Sequence, residues 1–389
     1  MKTINLVIFL TIVIGIISAV NFYICIRGLQ AIPRDAIIRI PYVIFFIIVS
    51  FSYIAGRLLE RYSVCFASDL LIWTGSFWLG LMLYLLLAVV AGDLLRLANW
   101  MAHVIPVPSA RYDHLKQLTA IVVVAAAAFV VLGGYVNTLY PRLNRVVVDI
   151  PKKAGSRSCL DIALVTDIHL GIIISNSRLQ KMVDMVNVIR PDIVLLAGDI
   201  VDEDLAPVIQ GNLGGLLSSL RSRYGTYAVT GNHEYIGGVE AACAYLSANG
   251  VTMLRDKAVR IGGLCLIGRE DRSKKQFTGA DRKPLEEIMK GVDRSLPLIL
   301  MDHQPFRLSD AVGQGIDLQV SGHTHNGQLW PGSIIIGMIY EVSRGLARIG
   351  GTHVYVSSGF GTWGPPSRVG TIPEVVHIKL RFAGGKPGQ

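Results

Sequence analysis

Cysteine is scarce in this chain. The 389 residues hold Cys25, Cys65, Cys159, Cys243 and Cys265, and no two form a CxxC pair. A disulfide framework and a zinc knuckle are therefore both excluded. Three cysteines follow residue 157, an odd number that suits free thiols in a reducing compartment. Charge is also scarce, at 17% of residues, and is missing altogether from residues 4–26, 40–56, 70–92 and 118–139. Four uncharged apolar runs within the first 140 residues do not fit the core of a water-soluble protein. A cleaved signal peptide after Lys2 is the alternative for the first run alone. That run is longer than a signal core, and further runs follow it without a soluble interval. No internal repeat and no low-complexity segment is present.

The runs themselves, in a chain that is 51% hydrophobic, read as membrane spans. A helix needs about 20 apolar residues to cross the hydrocarbon core. The second run is shorter, but Arg39 and Arg57 flank it and can reach the two interfaces. Residues 93–105 carry apolar positions at helical spacing, which leaves two readings open: an interfacial helix or a continuation of the third span.

The net charge of +9 points at first to nucleic acid, but its distribution excludes that partner. Residues 1–157 hold fourteen Lys and Arg against six Asp and Glu, whereas residues 158–389 hold twenty-three against twenty-two. The basic excess flanks the spans, and no basic stripe is left to follow a phosphate backbone. With four spans, one face of the membrane receives Lys2, Arg57, Arg61, Arg142, Arg145, Lys152, Lys153 and Arg157. The other receives Arg27, Arg34, Arg39, Arg96, Arg111 and Lys116. Positive charge favours the cytoplasm, so the larger share places the part after the spans on the cytoplasmic side of a cell (inner) membrane.

The organisation that follows is a multi-pass region over residues 1–140, a basic linker with a possible first strand over 141–157, a second domain over 158–381, and a frayed tail over 382–389. Residues 146–150 are the candidate first strand. Within the second domain, apolar segments at 160–166, 192–197, 225–230, 264–268, 296–301, 317–321 and 353–357 read as strands. Helical periodicity lies between several of them, at 177–189 and 239–248. Strands alternating with helices predict an α/β fold.

Sites in open α/β sheets gather where strands end. The strand ends here hold Asp167 and His169, Asp199 and Asp202, Asn232 and His233, His303, and finally His323 and His325. Five of the nine histidines fall at these ends. Any one of them is an ordinary loop residue, and the signal lies in the ordered set. Imidazoles, carboxylates and an amide oxygen suit Mn, Fe or Zn. There are more donors than one tetrahedral ion needs, which implies two metals able to activate a water and clamp an in-line displacement.

The blocks "DIH", "GD", "GNHE", "H" and "GHTH", in that order, resemble the calcineurin-like metallophosphoesterase superfamily over about residues 158–381. The resemblance implies a four-layer α/β/β/α sandwich behind the four-helix transmembrane region. It also implies one metal on Asp167, His169, Asp199 and His325. A second would sit on Asp199, Asn232, His303 and His323, with Asp199 as the bridge. Asp167 and Asp199 would serve catalysis through the metals. His233 would orient the phosphate, together with Asn232, or protonate the leaving group.

The later block "GFGTWGPPSRVGTIPE" is similar to the bacterial membrane-associated branch of the superfamily, which makes Arg344, Trp363 and Arg368 candidates for substrate contact. Trp363 capping the core is the alternative. Two positions depart from that branch. Asn326 replaces a glycine after GHTH, and "GREDRSKK" is more basic than usual, so that Arg269 and Arg272 meet an acidic leaving group or are simply solvated.

The resulting expectation is a membrane-anchored dimetal hydrolase of a phosphodiester, phosphomonoester or pyrophosphate bond. Its partners are the bilayer and a lipid-linked phosphorylated substrate resembling UDP-diacylglucosamine or another phospholipid precursor, with no nucleic acid and no protein partner predictable. The rivals are a phosphatase or phosphodiesterase acting on soluble substrates, and a non-catalytic membrane scaffold that keeps the fold.

Overall fold

The computed structural model describes residues 3–105 and 109–383, with side chains from residue 11 onward. The chain divides into two compact units. One comprises Met1–Val136 with Gly364–Ser367, and the other Asn137–Trp363 with Arg368–Gln389. Lys2 and residues 384–389 of the expected tail lie outside the described residues.

In the first unit the four uncharged runs become α1 (Thr3–Ala31), α2 (Arg39–Glu60), α3 (Phe66–Ala102) and α4 (Ala110–Thr138). All four are long and apolar enough to cross a membrane. A helix is what such a run must form in hydrocarbon, because only a helix satisfies its own backbone groups there. The helices pack through small residues. A Cβ added to Gly75 would lie 2.2 Å from Tyr53 N, and one added to Gly56 would lie 2.8 Å from Ile72 N. Such close approach of backbones is how helices associate in lipid. Asn21 adds a polar knot, with Trp78 Nε1 and Ser50 Oγ both donating to its Oδ1 at 2.9 and 3.0 Å. Side chains such as Phe22, Ile40, Ile121 and Phe129 remain outward-facing, as lipid-exposed positions require. Of the two readings of residues 93–105, the continuation holds through Ala102. The helix is unbroken there and ends at His103, whose left-handed backbone sends its N–H to Asn99 O.

The second unit contains two six-stranded sheets. Its strands are β1 (Arg142–Ile150), β2 (Cys159–Val165), β3 (Ile193–Ala197), β4 (Thr226–Val229), β5 (Val251–Met253), β6 (Lys257–Ile261), β7 (Leu264–Gly268), β8 (Leu298–Met301), β9 (Leu318–Ser321), β10 (Gly345–Ile349), β11 (Thr352–Val356) and β12 (Glu374–Phe382). One sheet runs β1-β12-β2-β3-β4-β5 and the other β10-β11-β9-β8-β7-β6. The two inner faces share one core, in which Leu160, Ile162 and Leu164 of β2 meet Leu264 and Leu266 of β7 and Ile299 of β8. Residues two apart on a strand share a face, which is why alternate positions of β2 enter this core. The helix Asn176–Ile189 turns Leu179, Met182, Val183 and Val186 inward over the first sheet. Leu285, Ile288 and Ala311 cover the second sheet. The result is the four-layer α/β/β/α sandwich.

Most of the basic stretch after α4 is strand rather than linker. Arg142–Ile150 is nine residues long and pairs in parallel with β12. β5, β6, β10 and β12 have no counterpart among the expected strands. β5 is three residues long, and β6 and β10 are edge strands with no fully buried residue. Short edges of that kind carry little apolar signal.

Candidate metal centre

Parallel pairing of β2, β3 and β4, and of β7, β8 and β9, brings the carboxyl ends of these strands to the same edges of the two sheets. The loops that leave them turn sharply. Asp167, His169, Asp199, His323 and His325 all have positive φ, between 45° and 69°. A non-glycine residue held in that region costs about 1–3 kcal/mol, so the surroundings must enforce it. Hydrogen bonds between loops do so. Asp167 N and His169 N donate to Gly198 O and Asp199 O at 3.1 and 3.0 Å. His323 N donates to Asp167 Oδ1 at 2.8 Å, and His233 N donates to Asp199 Oδ1 at 2.9 Å. Glu234 is buried and its carboxylate gathers four amides, those of Asp199, Ile200, Val201 and Gly231. It thereby holds the β3 loop against the β4 loop.

Three groups of donors result: Asp167, His169 and His325; His169, Asp199 and His233; and Asp199, His303 and His323. His169 Nε2 lies 3.0 Å from His325 Nε2. Asn232 Oδ1 lies 2.8 Å from His323 Nδ1. All seven ligands expected from the sequence are therefore assembled, and Asp199 belongs to the groups on both sides.

The side chains fit a divalent cation. His303 Nδ1 faces Ala197 O at 2.8 Å and donates to it, which turns Nε2 toward Asp199 Oδ2, 3.1 Å away. The Asp199 charge favours a cation on that nitrogen, a place a proton takes in the absence of metal and a divalent ion would take when bound. Burial pushes the pKa of His303 down, but the Asp199 carboxylate outweighs it and holds the group well above its ordinary value. Burial would raise Asp199, yet His303, His233 and His169 hold it well below the usual carboxylate range. Burial, then the neighbouring Arg368, keeps His325 well below its ordinary value, and burial with His303 lowers His323. His323 and His325 are thereby favoured as neutral imidazoles and Asp199 as an ionised carboxylate, the forms that bind metal.

The family model for calcineurin-like phosphoesterases matches residues 160–327. An uncharacterized metallophosphoesterase of Aquifex aeolicus is 32% identical over 260 residues, which cover 66% of this chain and 98% of that protein. The chain belongs to the calcineurin-like phosphoesterases. An uncharacterized metallophosphoesterase of Helicobacter pylori is 37% identical over 252 residues, 64% of this chain and 66% of the relative. A transmembrane protein with metallophosphoesterase domain from Danio rerio is 31% identical over 284 residues, covering 69% and 63% of the two chains. The chain thus spans just under two thirds of the length of these two relatives. With its four long apolar helices it is a membrane protein.

The residues expected to touch substrate lie in three different settings. Trp363 is 52% exposed, with its ring centroid 5.9 Å from that of His233, so it lines the rim rather than capping the core. Arg344 is exposed and follows Ser343, whose carbonyl accepts from Thr324 Oγ1 of the GHTH loop at 2.8 Å. Arg368 is not a rim residue. It is 1% exposed, donates to Ser358 O and Gly361 O, and lies 3.0 Å from His325 Nδ1. A guanidinium this buried is pushed down to about 9 by desolvation, and it braces the loop behind a ligand.

Of the two arginines of "GREDRSKK", Arg269 departs from expectation and Arg272 fits the solvated alternative. Arg269 is buried against Asp302 at 3.1 Å, so it is neither solvated nor free for a leaving group. Arg272 is exposed and lies over the Phe306 ring. Asn326 takes positive φ (48°), a conformation asparagine tolerates in place of glycine.

Sequence reading assigned no role to Asp202 or Glu234. Asp202 Oδ1 lies 3.3 Å from His233 Nδ1. Burial lowers the His233 pKa, but Asp199 and Asp202 raise it to about 9, so the ring is protonated at neutral pH. His233→Ala and His303→Ala are therefore expected to fail differently. Loss of His303 should remove bound metal, as counted by elemental analysis. Loss of His233 should leave the metal in place and lower turnover by about 10²–10⁴-fold, the usual loss for an acid–base partner. Equal metal loss in both variants would make His233 a ligand.

Proposed function

We propose that this membrane phosphoesterase hydrolyses a phosphodiester, phosphomonoester or pyrophosphate bond of a lipid-linked substrate, using two divalent metals. The observation that carries the reading is the position of Asp199. It faces His303 and His323 on one side and His169 on the other, so that a single carboxylate serves two cation sites. Asp167, His169, Asp199 and His325 would hold one metal, and Asp199, Asn232, His303 and His323 the other. Bound there, the metals would supply Lewis acidity toward a phosphoryl group. The chain's own residues do the rest. Asp202 holds Nδ1 of a protonated His233, whose Nε2 is left to give a proton to the leaving oxygen. Trp363 forms an apolar wall beside that proton.

Four membrane-crossing helices support a substrate that itself resides in the bilayer, since a soluble ester needs no such anchor. Purified protein in detergent, assayed against nucleotide-diacylglycerol, diacyl sugar-nucleotide and phosphatidic acid panels, is expected to turn over at least one of them faster than any soluble nucleotide. Preference for a soluble ester would overturn the lipid-linked part and leave the two-metal part standing.

The catalytic unit is proposed to lie on the cytoplasmic side, in an inner membrane. Support comes from the eight basic residues on its side against six on the other. Cys243 and Cys265 are buried and cannot report on topology, and Cys159 is half-buried. Lys290 is exposed. Lys290→Cys is expected to resist a membrane-impermeant maleimide in intact cells and to react after permeabilisation. Labelling before permeabilisation would reverse the placement.

A further inference from the structure

The short helix Gly332–Ile339, with sequence GSIIIGMI, follows the GHTH loop and buries none of its side chains. Ile334, Ile335, Met338 and Ile339 are between 53% and 76% exposed, and Trp330 just before them is 52% exposed. The helix carries no charge. Exposing so many large apolar side chains together is unfavourable in water. A contiguous patch of this kind marks a contact surface.

The helix is not a loose segment. Trp330 N donates to Val369 O at 2.8 Å, and Leu329 is buried. At the other end, the Tyr340 ring lies 4.6 Å from that of Phe306 and 6.2 Å from that of His323. The apolar face is therefore presented by two anchors, one of which reaches a proposed metal ligand.

We propose that this helix is a second membrane contact, which sinks its isoleucines and methionine into the lipid surface beside the metal centre. Three observations favour lipid as the occupant. Only Leu139, Tyr140 and Pro141 separate α4 from β1 in the chain, a tether with a reach on the order of 10 Å. The helix offers one side-chain hydroxyl, Ser333, and otherwise only apolar groups, whereas a protein interface mixes apolar contacts with many hydrogen bonds. Arg344 and Arg348 are exposed in the segment that follows, and Glu341 is the one acid within residues 330–349. An apolar helix edged by arginines is suited to an anionic leaflet. The inference rests on the chain being a membrane protein and does not require the lipid-linked substrate.

The test uses the full chain, with Cys25, Cys65 and Cys159 replaced by serine. Met338→Cys or Ile335→Cys is labelled with an environment-sensitive fluorophore, and Lys290→Cys is the control. The proteins are placed in nanodiscs of phosphatidylethanolamine and phosphatidylglycerol. Positions 335 and 338 are expected to emit at shorter wavelength than position 290 and to lose intensity when the acyl chains are brominated. Water-like emission at 335 and 338 would overturn the proposal. Shielded emission that brominated lipid does not quench would also overturn it, in favour of a protein cover such as a second copy of the chain. Hydrolysis of a soluble aryl phosphodiester by the same labelled proteins reports separately on the metal centre.

Discussion

Asp199→Asn is expected to abolish hydrolysis of a generic aryl phosphodiester and to strip most of the bound metal. The carboxylate lies between the His303/His323 pair and His169, and it is 2% exposed. Its negative charge offsets the repulsion between two divalent cations, a role a neutral amide cannot fill. Although burial would raise it, His303, His233 and His169 hold its carboxyl well below the usual carboxylate range. Losing a partner merely outside the ligand shell lowers metal affinity by about 10–100-fold, and loss of the shared ligand should exceed that. Elemental analysis and the aryl phosphodiester assay check both parts. A variant with full activity and two ions per chain would sink the metal-centre assignment.

The second large effect needs no change of charge. Gly231→Ala would place a Cβ 2.1 Å from Asp199 Oδ1 and 2.4 Å from Asp199 N. The backbone at Gly231 has φ −106°, open to any residue, so the whole effect is steric. A flexible side chain could swing away, but a backbone nitrogen cannot, so the β3 loop must move. That loop is gripped by Glu234, and overpacking of this kind costs about 1–3 kcal/mol. A displacement near 1 Å at the bridging residue is enough for about a 10²-fold loss of turnover. Gly313→Ala is the matched control, because its Cβ would meet nothing within 4 Å. Equal activity in the two variants would show that the β3 and β4 loops need not approach so closely.

The loops also show where sequence reading stops. The ligands were legible because each follows a short, strongly apolar strand, and strands such as Ile193–Ala197 are buried at every position. Their backbone strain was not legible. Nothing local marks Asp167, His169 and Asp199 for positive φ, which arises from hydrogen bonds between loops distant in the chain. Arg368 illustrates the same limit. An arginine in a motif loop has the chemistry of a phosphate contact, and only the packing of Ser358 and Gly361 around its guanidinium assigns it to the interior.

By itself the sequence determined the elements whose signals are local: four uncharged runs that must become helices in lipid, apolar strands in one order, and metal-binding residue types at the strand ends. The tertiary structure alone decided how closely the donors cluster, that Asp202 holds His233, that Glu234 ties two loops together, and that GSIIIGMI stays outside the core. The physical reason is that ligation, proton affinity and burial depend on distances between residues far apart in sequence, and only the packed sheets set those distances.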